Sequence, residues 1–291
     1  MLIEHFSNIF NLLADNPQDH RRDSSFYLFL DGLAKEAFKE ARLKFEASQP
    51  VALGELGLIN LPYEKMGAID SIDLFGLDEL LMFSFYYRNK GNYTRAVDIG
   101  ANIGLHSILL SLCGCSVEAY EPDPSHYSKL LRNLELNNIS SCKAHQAAVS
   151  EKDGKMQFVR VLGNTTSSHL AGAKPNPYGD LERFDVDVKD IKEIALRADF
   201  MKIDAEGHEA VLLTALPMEY WESTDSFVEV GSPENAHIIY EHFVNSSVSI
   251  FAQKIGWSRV TASSEMPVSY KEGGIFISIK PVMPWSVCVA P

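Results

Sequence analysis

Ala96-Val97-Asp98-Ile99-Gly100-Ala101-Asn102-Ile103-Gly104-Leu105-His106-Ser107 is the stretch that decides the fold. An apolar run of strand type stops at Asp98, passes two glycines four residues apart, and opens into a helix with Leu105, Ile108, Leu109 and Leu112 on one stripe. Strand, glycine turn and helix in direct succession is how α/β sheets build a nucleotide-binding corner. Gly100 lets the backbone turn where a Cβ would clash, and Gly104 lets a ligand or a neighbouring strand approach the helix start.

The acid at the strand end narrows the choice of nucleotide. A pyrophosphate site wants bare backbone N–H groups at a helix start, and a carboxylate there repels phosphate. Asp98 suits instead a cationic ligand such as S-adenosylmethionine, with its ammonium and sulfonium. The next apolar run, Ser116-Val117-Glu118-Ala119-Tyr120, leads to Glu121, 21 residues beyond Gly100. An acid at the tip of a second strand can accept both ribose hydroxyls.

Five segments then carry a resemblance: Asp98 to Gly104, Tyr120 to Pro124, Asn133 to Asn137, Ala147 to Ser150 and Met201 to Gly207. Together and in this order they look like the motif series of the FkbM family of S-adenosylmethionine-dependent methyltransferases, over about residues 95 to 280. The resemblance implies an α/β class I methyltransferase fold, Rossmann-like: a mostly parallel seven-stranded sheet with helices on both faces. The expected division is an N-terminal, mainly helical extension over 1–90 and a methyltransferase domain over 91–291. It also implies a cofactor site made of Asp98, Gly100, Ala101, Asn102, Gly104, Glu121, Pro122 and Ala148, with Ala147 and Ala148 beside adenine at the end of a third strand. Similar proteins O-methylate sugars and polyketide natural products, and some relatives act on peptide nitrogen. The acceptor expected here is a hydroxyl of a saccharide or natural product. N-methylation of a peptide and a non-catalytic, cofactor-binding scaffold stay open. One departure from the pattern is Phe184 to Val188, which lacks the Thr-Leu-Asp that relatives often show; it bears on neighbouring substrate contacts.

Ligands of doubly wound sheets sit at the carboxyl ends of the strands, and Asp98, Glu121, Asp204 and Glu229 all fall near such ends. Methyl transfer to a hydroxyl needs alignment of the acceptor and removal of its proton. The candidates for that proton are Asp204 first, then His208 and Glu206. The bland alternative for Glu206 is capping of the helix after Gly207, and for His208 a place on the surface. No metal site is expected, although Asp204, Glu206 and Glu229 could together hold a Mg²⁺ that orients two sugar hydroxyls, as a third alternative, since oxygen-rich sites suit hard cations. His106, two residues past the turn, touches the cofactor's methionine end or simply packs. Lys202 faces away or pairs with an acid. An NAD-dependent oxidoreductase is the rival on a similar sheet, but it expects glycine where Asn102 stands.

Composition excludes several classes. The chain has 291 residues, 26 Lys+Arg against 39 Asp+Glu, and a net charge of −13, a field that repels nucleic acid. Cys113, Cys115, Cys142 and Cys288 form neither C-x-x-C pairs nor a disulfide framework, so zinc is not expected and a reducing, cytoplasmic setting is. No run is long enough to span a bilayer, and the first residues lack a signal-peptide pattern.

The flanking segments read more plainly. Residues 1 to about 48 carry helical stripes (Leu2, Phe6, Ile9, Phe10, Leu13; then Phe26, Leu30, Leu33, Ala37), for packing on the core or on a second copy of the chain. Residues 50 to 76 read as loops with a short hairpin, and 78 to 89 as a helix whose Tyr86, Tyr87 and Arg88 pack at the surface or stand near the site. Gly163 to Gly179, polar and rich in turn formers, with His169, Lys174 and Tyr178, reads as a substrate lid or a surface loop. Trp257 to Val260 and Gly274 to Ile279 read as a final antiparallel pair.

Overall fold

The computed structural model describes residues 6–47, 49–174, 176–177 and 179–285. Leu2, Tyr178 and Cys288 lie outside these, as does the side chain of Phe6. Helices α1 (Phe6–Asp15) and α2 (Ser25–Glu46) lead to a two-residue ladder, β1 (Val51–Ala52) with β2 (Leu58–Ile59), and to α3 (Leu77–Arg88). The glycine-turn unit follows as β3 (Arg95–Ile99) and α4 (Leu105–Leu112), then β4 (Ser116–Tyr120), α5 (Pro124–Leu136) and β5 (Cys142–His145). Next come β6 (Ala148–Ser150), β7 (Gly154–Val161), β8 (His169–Leu170), β9 (Leu181–Asp190) and α6 (Ile191–Ala195). The chain continues through β10 (Phe200–Ile203), α7 (Glu209–Ala215), β11 (Asp225–Val228), α8 (Pro233–Phe243), β12 (Ser249–Ala252), β13 (Ser258–Arg259) and β14 (Ile275–Ser278).

The main sheet has the order β13-β12-β14-β11-β10-β3-β4-β5, with β5, β4, β3, β10 and β11 mutually parallel. This is the class I methyltransferase arrangement, doubly wound from β3 outward. It has eight strands rather than the seven expected. The additional one is β13 at the edge, which pairs only with β12, a strand the sequence reading passed over. Trp257–Val260 and 274–279 are therefore not a pair: β14 inserts antiparallel between β11 and β12, and the short β13 lies beyond.

The third strand expected across Lys143 to Val149 is divided. The chain breaks at Gln146-Ala147, so that β5 ends the main sheet while β6 opens a second, four-stranded sheet ordered β6-β9-β7-β8. There β7 and β9 pair antiparallel, from Gly154 with Val188 to Val161 with Leu181.

Strand alternation sorts the core into two layers. Ala96, Phe200, Phe227 and Phe276 point to one face and share a cluster with Phe10, Leu13, Leu30, Phe83 and Phe85 of the N-terminal helices. Val97, Ile99, Met201, Ile203, Val228 and Ile277 point to the other, under Ile194, Leu212, Leu213 and Ile239 of α6, α7 and α8. Asp98 and Lys202 are register partners across β3 and β10. By period two they lie on the face of Ala96 and Phe200, the face that α3 and α4 cover.

Candidate active site

The strand order runs one way from β3 to β4 and the other way from β3 to β10, so the switch point of the sheet lies between β3 and β10. Gly100, at φ 76°, sits there. A Cβ on it would stand 1.9 Å from the Asp204 carbonyl oxygen, so the turn after β3 is pressed onto the residue that ends β10. The N–H groups of Gly100 and Ala101 both reach the Tyr120 carbonyl at 3.0 Å, which ties the same turn to β4. Gly104, at φ 90°, caps α4 against Leu130. Glycine is thus required at 100 by a neighbouring backbone as well as by its φ.

Asp98 is fully buried; its Oδ2 accepts a 2.6 Å hydrogen bond from Ser107 Oγ on α4. Its Oδ1 has no hydrogen-bond partner among the described residues, and Lys202 Nζ stands 3.7 Å away. Lys202 donates to the Gly100 carbonyl and to Asp204 Oδ2, each at 3.3 Å. Burial alone would discharge this ammonium, yet Asp204, Asp98, Glu79 and Glu229 around it hold its pKa above the ordinary lysine value. The lysine was legible in outline: one charge inside the apolar strand Phe-Met-Lys-Ile must find acids.

On the other side of the turn, Glu121 is 5% exposed and accepts from Asn102 N and Asp123 N, both at 2.8 Å. Burial pushes its pKa up to about 8, against the lowering effect of the two backbone N–H bonds from Asp123 and Asn102. Asn102 occupies the left-handed region at φ 52°, and its buried Oδ1 is without a hydrogen-bond partner among the described residues. Asp123 caps α5, accepting from Ser125 N and His126 N, and takes a bidentate pair from Arg160 at 2.6 and 2.7 Å. Pro122 is half-buried beside a cavity of about 280 Å³ lined by Gln146, Phe184 and Asp185 among others. Ala148, expected beside adenine, begins β6 and packs with Phe158, Leu170, Val186 and Val188 in the core of the second sheet.

The residues expected to carry chemistry separate. Asp204 follows β10 directly and pairs with Lys202, its side chain 29% exposed. Glu206, at φ 51°, is ion-paired with Lys174; burial, then Asp204, raises its pKa to about 7. His208 turns elsewhere, its Nε2 lying 2.9 Å from Ser150 Oγ, and burial lowers its pKa. It lines a cavity of about 400 Å³ bounded by Glu151 to Met156. Among the described residues no side chain caps α7, whose N-cap is His208; the turn before it is closed by Glu209, whose buried carboxylate accepts from Ala205 N at 3.0 Å, Gly207 N at 2.9 Å and Asn235 Nδ2 at 2.7 Å. Glu229, beside β11, has its pKa raised well above the usual value by burial and by Asp204, Glu206 and Glu79.

The Mg²⁺ alternative finds no support: among the described residues no group of His, Cys, Asp or Glu is placed to hold a metal. The physical reason is that Asp204 and Glu206 each turn to a lysine. The polar stretch from Gly163 packs on this site. A Cβ on Gly207 would meet the Ala173 carbonyl at 2.7 Å, Thr165 Oγ1 lies 2.9 Å from His126 Nε2, and Ala68 N donates to the Gly163 carbonyl. His169 is buried, its Nδ1 on the Ser167 carbonyl. From α3, Glu79 reaches His106 Nε2 at 2.9 Å, a residue for which the sequence carried no local signal. Among the described residues no helix is long and apolar enough to cross a membrane.

Residues 98–240 match the methyltransferase FkbM domain. Methyltransferase 1 of Beauveria bassiana is 28% identical over 154 residues, covering 45% of this chain and 62% of that protein. Methyltransferase sdnD of Sordaria araneosa is 29% identical over 162 residues, covering 43% and 61%. The chain thus spans about three fifths of the length of these curated relatives. Among solved structures, the methyltransferase FkbM of Methylobacillus flagellatus aligns with a TM-score of 0.37 at 15% identity, over 71% of this chain and 52% of that one. The stretch from Asp98 through the helix after β11, which holds the glycine turn, Glu121, Lys202 and Asp204, belongs to the FkbM methyltransferase family.

Proposed function

We propose that this chain transfers a methyl group from S-adenosylmethionine to a hydroxyl oxygen of a saccharide or natural-product acceptor. The observation that carries the reading is the glycine turn at the switch point, between Glu121 on one side and Lys202 with Asp204 on the other, inside an FkbM domain. The donor set fits this cofactor. Each Glu121 oxygen already accepts one backbone N–H, and the group once ionised has about four lone-pair positions, so a diol finds acceptors there. The carboxylates along the rim would repel a pyrophosphate. Bound, S-adenosylmethionine supplies an electrophilic methyl on a sulfonium leaving group.

The chain's residues supply the rest. Asp98, buried against Ser107 and Lys202, fixes α4 to β3 from below rather than reaching solvent. Glu121 and the backbone of Asn102 hold the ribose. Asp204 takes the acceptor proton, since it is part-exposed at the end of β10 and beside Gly100, whereas His208 is engaged with Ser150. The polar stretch that ends in Ala173 and Lys174 against the 204–209 turn supports a hydroxyl-rich acceptor.

Parallel calorimetric titrations with S-adenosylmethionine, S-adenosylhomocysteine and NAD test the cofactor. Micromolar binding of the first two and none of NAD is expected; binding of NAD alone would overturn the reading. With a labelled methyl donor and a panel of saccharides and peptides, Asp204→Asn should lower turnover about 10²- to 10⁴-fold while S-adenosylhomocysteine still binds. Full turnover in that variant would take the base role from Asp204.

A further inference from the structure

The switch point holds more acceptors than donors. The Lys202 ammonium is shared among the Gly100 carbonyl, Asp204 and Asp98 at 3.3, 3.3 and 3.7 Å, all longer than the roughly 2.7–2.9 Å of a well-made ammonium–carboxylate bond. Asp98 Oδ1, wholly buried, is left without a hydrogen-bond partner among the described residues. Burial first, and then the charges of Asp204, Glu206 and Glu79, raise the Glu229 pKa well above its usual value, so several acids crowd one place.

One of these acids is aimed. Glu79, on α3, takes His106 Nε2 at 2.9 Å through Oε2, and His106 Nδ1 lies 3.0 Å from the hydroxyl of buried Tyr86. A carboxylate only accepts, so Nε2 carries the hydrogen, and in the neutral ring Nδ1 accepts from the Tyr86 hydroxyl. Phe83 packs edge-on to the same imidazole, at 5.2 Å between ring centroids, and fixes its plane. The chain Tyr86, His106, Glu79 therefore holds a carboxylate from the N-terminal helices beside the first turn of α4. The charge of Glu79 also bears on Lys202 and Glu229, at the ends of β10 and β11. Those two strands lie on one side of β3, whereas Glu121 follows β4 on the other. If Glu121 holds the ribose, the amino-acid arm of the same ligand extends toward Glu79.

We propose that Glu79, positioned by His106 and Tyr86, receives the α-ammonium of the cofactor's amino-acid arm. This rests on the cofactor reading above. An ammonium brings three donors and one positive charge to a site short of both.

The test is calorimetric titration of the full chain and of Glu79→Gln with S-adenosylhomocysteine and with its des-amino analogue, which keeps the carboxylate and lacks only the amine. In the unmodified chain, loss of the amine should weaken binding about 10- to 100-fold, the range of a charge-assisted hydrogen bond. In Glu79→Gln the two ligands should bind within about 3-fold of each other, with the analogue's affinity unchanged, which also shows that the variant is folded. Tyr86→Phe, which removes the donor that orients the imidazole, should give an intermediate ratio. An undiminished preference for the amine in Glu79→Gln would overturn the assignment, as would equal weakening of both ligands. If the unmodified chain binds neither, the cofactor reading itself falls and this assignment with it.

Discussion

At the scale of single residues, the same feature has different consequences in different places. Gly91 and Gly100 both have positive φ, 87° and 76°. Around a Cβ at 91 there is open space, whereas one at 100 would lie 1.9 Å from the Asp204 carbonyl oxygen. Gly91→Ala should therefore cost only the left-handed strain, about 1 kcal/mol, while Gly100→Ala should cost at least about 3 kcal/mol because β3 and β10 must part. Urea unfolding of the two variants makes the comparison, and equal losses would mean that the β3 turn relaxes freely. The sequence pointed to Gly100 for the right reason, a conformation closed to other residues. The second reason, a backbone contact 104 positions along the chain, has no local trace.

At the scale of elements, legibility followed periodicity. The strands at Arg95–Ile99 and Ser116–Tyr120, and the helix between them, were readable because burial on both sides writes apolar runs, and stripes write helices. The division of β5 from β6 was not readable: Ala147, Ala148 and Val149 are equally apolar whichever sheet they join, and only the pairing of β6 with β9 decides. The acids after β10 show the same limit. Glu206 stands near a helix start, where an acid can serve as a cap as readily as in chemistry. The structure gives the closing role to Glu209, since its carboxylate collects the N–H groups of Ala205 and Gly207 together with the Asn235 amide of α8. Removing it leaves buried donors unmet. Glu209→Ala should cost about 2–4 kcal/mol and Glu209→Gln, which keeps one acceptor, about half as much. Chemical denaturation measures both, and an Ala variant as stable as the parent would show that solvent satisfies this turn.

At the scale of the whole molecule, the main sheet is covered on one face by helices that precede it in sequence, so that Phe10 and Leu30 share a cluster with Phe200 and Phe276. The site is therefore assembled from both ends of the chain's order: Glu79 comes from a covering helix, while Lys202 and Asp204 come from the sheet. Its acids also make stability a function of pH. Burial raises Glu121 to about 8, and Glu206 and Glu209 to about 7, from an unfolded reference of 4.5. Folded, these groups hold protons that the unfolded chain has released. Their contribution is complete below pH 4.5 and is lost as pH rises through 7 to 8. Buried His20 and His126 work in the opposite direction, each lowered by burial from 6.5 to about 4, so they cost stability as pH falls below 6.5. Between pH 4.5 and 6.5 the two effects oppose each other. Above 6.5 these two histidines no longer oppose the glutamates, and the melting temperature should fall between pH 6.5 and 8.5, by roughly 2–4 °C for each kcal/mol lost. Glu121→Gln, neutral at every pH, should flatten that slope. A melting temperature that holds level or rises over this interval in the ligand-free protein would mean that Glu121 is ionised at neutral pH, its backbone N–H bonds outweighing its burial.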